Sequence, residues 1–204
     1  EWIKIANEYK IPTFVLGVGL GGLIILNLLE KTELPIEGIL LFSPMLELKR
    51  DYKGCKNKLI SNVGKISKDT RFKVGITPQD LTRNDEIIEE TANDGLMLKK
   101  VTYSWYNLIN EKMKETMDHI RDIKPISALI MYGTNDKILE TQSINEMKDK
   151  LKSKEMYFKV WDGLYHEIHN EPERDLVMRY VLSFLNNSVN TMGFIVNEEE
   201  IEDI

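Results

Sequence analysis

An α/β domain with a parallel sheet is what this sequence predicts, on three observations. A short apolar run at 13–16 leads through a glycine-rich turn into a helical segment and then into a second apolar run at 36–42, which together make one βαβ unit. Strand character returns at 126–132 and at 156–161 with a helical stretch between them, so a second βα unit follows. The composition supports a real core, because 42% of the 204 residues are hydrophobic and 29% charged, with only 12 Gly and 6 Pro. Charge excludes one large class of partners. With 27 Lys+Arg against 33 Asp+Glu the net charge is −6, which gives no pull toward a phosphate backbone, so no nucleic-acid partner is expected. The one cysteine, Cys55, cannot make an internal disulfide, and no Cys/His cluster has zinc spacing. A reducing compartment, the cytoplasm, is therefore the expected location, with no metal.

The elements follow in order. Residues 1–9 read as the end of an amphipathic helix and lack the charged start and apolar stretch of a leader, so the chain is expected to begin in mid-domain. The apolar run at 14–26 falls short of the ~20 residues a membrane-spanning helix needs. Gly17 and Gly21 make a GxxxG pair, but Gly17, Gly19, Gly21 and Gly22 together would weaken any helix they interrupted. A strand over 13–16, a turn, and a helix over 20–31 fit better. The run at 36–42 ends at Ser43-Pro44 and suits a parallel strand buried on both faces. From 46 to 124 no comparable strand is expected. Basic stretches give way to helical periodicity through Val101, Trp105, Leu108, Ile109 and Met113, which predicts a mostly helical insertion over the sheet. A helix is expected over 141–152. Pro172 can start the last helix, with Leu176, Val177, Tyr180, Val181 and Phe184 on one face. An acidic tail is expected over 188–204, and the whole chain reads as one domain. Asn186-Asn187-Ser188 is a formal glycosylation acceptor, a pattern short enough to arise by chance.

Three chemistries use a strand, a glycine turn and a helix. Gly17-Val18-Gly19-Leu20-Gly21-Gly22 satisfies GxGxxG, which would let a pyrophosphate approach a helix N-terminus. A dinucleotide fold also wants an acidic residue at the end of the next strand, and Phe42-Ser43-Pro44 stands there instead. A phosphate loop lacks its closing Gly-Lys-Ser/Thr. The third possibility is the nucleophile elbow GxSxG, in which a strand turns sharply into a helix and the central side chain projects into the site. Here the central residue is Gly19.

The stretch 12–24 resembles the elbow of the monoacylglycerol lipase and lysophospholipase branch of the α/β-hydrolases, a serine aminopeptidase S33-type group whose pattern is Gly-His-Ser-Met-Gly-Gly. The resemblance continues, in family order, through Leu41-Phe42-Ser43-Pro44, Asn93-Asp94-Gly95-Leu96, Tyr132-Gly133-Thr134-Asn135-Asp136 and Gly163-Leu164-Tyr165-His166-Glu167-Ile168-His169-Asn170-Glu171. It implies a partial α/β-hydrolase fold, the C-terminal half with about four strands, and a helical cap over 46–124. It also implies that Asp136 is the acid of a catalytic triad, His166 the base and Gly19 the nucleophile position, with Gly17, Gly21 and Gly22 shaping the elbow and the Leu20 N–H serving the oxyanion hole. The order nucleophile, Asp, His is that of the family.

The resemblance implies hydrolysis of lipid esters, and Gly19 argues against it, because a glycine has no hydroxyl to form an acyl-enzyme. Losing the nucleophile of a comparable enzyme costs on the order of 10⁶ in kcat. The strands and oxyanion donor that the family places ahead of the elbow are also expected to be missing. The plainer readings are a turn-stabilising carboxylate at Asp136 and a structural histidine at His166. His169 is expected to be supporting or exposed, His119 to lie on a solvated face, and Ser43 to be structural. Two functions remain open: an impaired lipid-ester hydrolase, and a non-catalytic lipid-binding or scaffolding protein, with a dinucleotide-binding protein as a lesser third. The expected partner is a lipid or lysolipid, without cofactor. Peripheral membrane contact through the cap and self-association through an exposed sheet edge at 13–16 are further expectations.

Overall fold

The computed structural model describes residues 2–49 and 70–191. Its centre is a four-stranded parallel sheet in the order β1-β2-β5-β6, formed by β1 (Phe14–Val18), β2 (Gly38–Phe42), β5 (Ser127–Gly133) and β6 (Met156–Trp161). The two middle strands are buried at every residue, which is why their sequences are unbroken apolar runs. Alternation still sorts their side chains. Ile39, Leu41, Ala128 and Ile130 join the larger core cluster with Leu23 and Leu26, whereas Leu40, Phe42, Leu129 and Met131 join the second with Val177 and Phe184. Each of these side chains other than Ala128 contributes roughly 1.5–3 kcal/mol when fully buried.

Helix α1 (Trp2–Glu8) precedes β1, and α2 (Leu20–Leu29) links β1 to β2. The strand β1 runs two residues further than expected, and α2 stops at Leu29, where Glu30 caps it. The insertion needs a correction. Among the described residues it contains the short strands β3 (Arg71–Lys73) and β4 (Lys100–Thr102), paired antiparallel, beside α3 (Pro78–Leu81), α4 (Asp85–Asn93) and α5 (Tyr103–His119). Three-residue strands are too short to show a period in the sequence. The apolar face of α5 is also displaced from expectation: Tyr103, Tyr106, Met113 and Thr116 are buried, while Trp105 and Leu108 are exposed. Aromatic contacts made by Phe72 with Tyr103 and Tyr106 select that face.

Helix α6 (Gln142–Lys150) connects β5 to β6, and α7 (Arg174–Thr191) is the last element among the described residues. On α7 the residues Val177, Tyr180, Val181 and Phe184 pack toward the sheet, but Leu176 is 53% exposed. The expected tail cannot begin at 188, because Ser188 sits one turn beyond Phe184 on the same helix face and is 1% exposed. The acidic stretch 198–203 and Cys55 lie outside the described residues.

Candidate active site

Parallel strands bring their C-terminal ends to one side of a sheet, so turns far apart in sequence meet there. The turn after β1 holds Gly19, the turn after β5 holds Asp136, and the loop after β6 holds His166.

Gly19 caps α2 with φ 51 and ψ −114, a region that glycine enters freely and other residues enter at a cost of order 1–3 kcal/mol. Its N–H donates to the Phe42 carbonyl at 2.9 Å, and its own carbonyl accepts from Gly22 and Met45. The sharp turn is thus held by backbone bonds alone and needs no side chain at 19. The N–H groups of Leu20 and Gly21 open α2 and have no carbonyl of the preceding turn to bond, so they form the positive end of its dipole. Gly17 and Gly22 are tight: a Cβ on Gly17 would lie 2.6 Å from Gly22 N, and one on Gly22 would lie 2.8 Å from Pro44 Cβ. Gly21 has open space around it.

Asp136 is fully buried. Its Oδ1 accepts the N–H groups of Ile138 at 2.8 Å and Leu139 at 2.9 Å, and its Oδ2 lies 2.8 Å from His166 Nδ1. The turn is anchored from the other side, because Lys49 N–H donates to the Ile138 carbonyl, Glu140 N–H to the Glu47 carbonyl, and Lys49 Nζ to the Asp136 carbonyl. With Oδ1 taken by two backbone amides, Oδ2 is the carboxylate oxygen that meets Nδ1, an acceptor that orients the ring with Nε2 pointing away from Asp136. That nitrogen faces Gly19: a Cβ built there would stand 3.0 Å from Nε2 and 3.6 Å from Cε1. The arrangement orients the imidazole through Nδ1 and leaves Nε2 as the ring nitrogen directed at position 19. It offers no hydroxyl for covalent attack.

Ser43 is buried in a left-handed conformation, φ 43, and its Oγ donates to the His166 carbonyl at 2.8 Å. Its hydroxyl is therefore spent on holding the histidine loop. His169 stacks obliquely near Phe42, ring centroids 6.0 Å apart, and its buried Nδ1 has no hydrogen-bond partner among the described residues. Burial pulls its imidazole below the ordinary histidine value; the Glu167 carboxylate opposes this and the His166 ring adds to it. His119 lies on the exposed side of α5 and its Nδ1 meets Asp122 Oδ2 at 2.8 Å; that hydrogen bond raises its pKa.

Sequence reasoning assigned no role to Glu171 and did not find Arg83. Glu171 is fully buried, accepts the Tyr165 N–H at 2.6 Å, and pairs with Arg83, whose Nε is 3.0 Å away. The pair spans 88 positions, beyond the reach of any local pattern.

Known proteins share this architecture. The family described as serine aminopeptidase, S33, matches residues 2–173. A phospholipase of Bacillus subtilis, YtpA, is 28% identical over 189 residues, covering 92% of this chain and 73% of that protein. The monoacylglycerol lipase of Paleococcus ferrophilus superposes with a TM-score of 0.78 at 22% identity, over 92% of this chain and 74% of that one. A soluble variant of monoglyceride lipase from Saccharomyces cerevisiae, solved with a substrate analogue, gives 0.80 at 18% identity over 92% and 65%. At such identities the structural likeness speaks for the fold, an α/β-hydrolase architecture around this sheet.

Proposed function

The chain belongs to the serine aminopeptidase S33 family, and from that premise we propose that its site is that of a carboxylic-ester hydrolase for lipid esters, of the lysophospholipase and monoacylglycerol lipase type, with catalysis impaired by the glycine at 19. In this reading Asp136 holds the imidazole, His166 is the base, the Leu20 N–H is one oxyanion donor, and the insertion 46–124 is a cap over a lipid or lysolipid. The observation behind it is the aligned set Asp136 Oδ2, His166 Nδ1, His166 Nε2 and the Cβ direction of Gly19. Intact serine sites pass the hydroxyl proton to Nε2 and the hydroxyl oxygen to the ester carbonyl. Here the base has no hydroxyl to act on, so an acyl-enzyme cannot form at 19.

The same glycine favours a second reading, a non-catalytic protein that keeps a lipid pocket. The two share binding and differ in turnover. A fluorophosphonate probe together with binding of a lysophospholipid and a monoacylglycerol separates the possibilities. Saturable binding with slow ester release that His166→Ala abolishes supports the impaired hydrolase. Binding without turnover supports the binding protein, and labelling of any serine defeats the loss of the covalent route. Stabilisation by a dinucleotide, with no lipid binding, would favour the third class.

No helix among the described residues is long and apolar enough to cross a membrane. The proposed location is the cytoplasm, with peripheral contact to lipid through the cap, where Leu96 and Leu98 stand exposed.

A further inference from the structure

We propose that Glu171 and Arg83 are positioning residues for His166: they clamp the loop bearing the histidine to the segment 81–84 of the insertion. The inference rests on the reading of His166 as the site's base, but its test observes the imidazole directly and needs no turnover.

The loop is held on both sides of the histidine. Before it, the Tyr165 N–H donates to Glu171 Oε1 at 2.6 Å. After it, the Glu167 N–H donates to the Leu81 carbonyl at 2.8 Å. Further on, Thr82 Oγ1 donates to the Asn170 carbonyl at 2.9 Å while accepting the Asn84 N–H at 3.1 Å. Glu171 Oε2 takes the Arg83 N–H at 3.2 Å and Nε at 3.0 Å, and the outer Arg83 nitrogen also pairs with Glu173. Both oxygens of one carboxylate are thus divided, Oε1 to the residue beside His166 and Oε2 to the insertion.

Energetics argue for a geometric role. The Glu171 side chain has no exposure, whereas Arg83 keeps about a third of its own. A buried ion pair rarely adds net stability over an apolar packing of the same volume, so its worth here lies in direction. The planar guanidinium presents its donors in a fixed fork, and the Arg83 backbone N–H adds a third contact that a side-chain rotation cannot release. Any displacement of 81–84 is passed to Tyr165 and Glu167, the two neighbours of His166. The base and this part of the insertion therefore move as one piece.

The test is NMR on the chain labelled with 15N-histidine. In the parent, the His166 ring should show the Nδ1-protonated tautomer with a hydrogen-bonded Nδ1 proton. In Glu171→Gln, which keeps an acceptor for the Tyr165 N–H but loses the charge, and in Arg83→Gln, that proton signal should lose most of its intensity. The ring nitrogen shifts should then move toward a mixture of tautomers, with the His119 signals unchanged. Lys124→Gln, which breaks the exposed pair with Glu33, should leave His166 as in the parent. Folded variants of both clamp residues with the parental His166 signal would overturn the proposal. So would loss of folding in both, which would make the clamp an element of stability alone. Neither result would bear on whether lipid esters bind, so the functional reading stands or falls separately.

Discussion

A Cβ on Gly19 would stand 3.0 Å from His166 Nε2, tighter than side chains ordinarily pack. The imidazole edge lies directly at the place where a side chain at 19 would emerge. Gly19→Ser should therefore acquire fluorophosphonate labelling and some short-chain ester hydrolysis only if the ring yields by a few tenths of an ångström. The positive φ adds a penalty of order 1–3 kcal/mol. Gly19→Ala should show the same loss in denaturant midpoint without labelling, and a folded Gly19→Ser that never labels would mean that the site has drifted beyond a single substitution.

Asp136 supports two backbone amides as well as the imidazole. Asp136→Ala should therefore destabilise by roughly 1–3 kcal/mol for each buried group it orphans. Calorimetric or denaturant unfolding checks this, and a change near zero would show that the turn after β5 does not depend on its carboxylate.

The elbow glycines should separate. Gly17→Ala and Gly22→Ala drive a Cβ into backbone N and into Pro44, and overpacking of this kind costs about 1–3 kcal/mol. Gly21→Ala meets nothing within 4 Å and should stabilise α2 by roughly 0.5–1 kcal/mol. Equal losses at all three positions would contradict the packing described.

Burial depresses the His169 imidazole below its ordinary value of 6.5. Below that value the unfolded chain binds the proton more readily than the folded one, so stability present above pH 6.5 is lost as pH falls toward the lowered folded value. His119 acts in the opposite sense, because its raised value favours folding at low pH and that contribution fades as pH rises through it. His169→Phe should flatten the acid side of a stability profile and leave the alkaline side as it was. An unchanged acid limb would exclude His169 as its source.

Among the described strands β1 pairs only with β2, and Leu16 on it is 52% exposed. Phe14 and Val15, which the sequence marks as equally apolar, are half-buried instead, Phe14 against the ring of Phe184 at 6.0 Å. Self-association through this edge should then depend on Leu16. Leu16→Lys should shift sedimentation toward the monomer, since an edge charge opposes strand pairing. A parent chain that is already monomeric at high concentration would refute it.

Much of this protein is local and therefore legible in its sequence. The unbroken apolar runs of β2 and β5 announce strands covered on both faces, and the glycines at 17–22 announce a sharp strand-to-helix turn. These depend on side-chain period and backbone preference, which neighbouring residues determine, whereas positions 19, 136 and 166 are singled out by resemblance to the α/β-hydrolase motif order and by no local pattern. What only the tertiary structure decided depends on residues distant in the chain. The face of α5 is chosen by Phe72, the helical fate of Ser188 by the core around Phe184, and the aim of His166 by Asp136, Ser43 and the Arg83–Glu171 pair. Such contacts form between surfaces that exist only after the strands have aligned, and their energy comes from burial and desolvation that no local window contains.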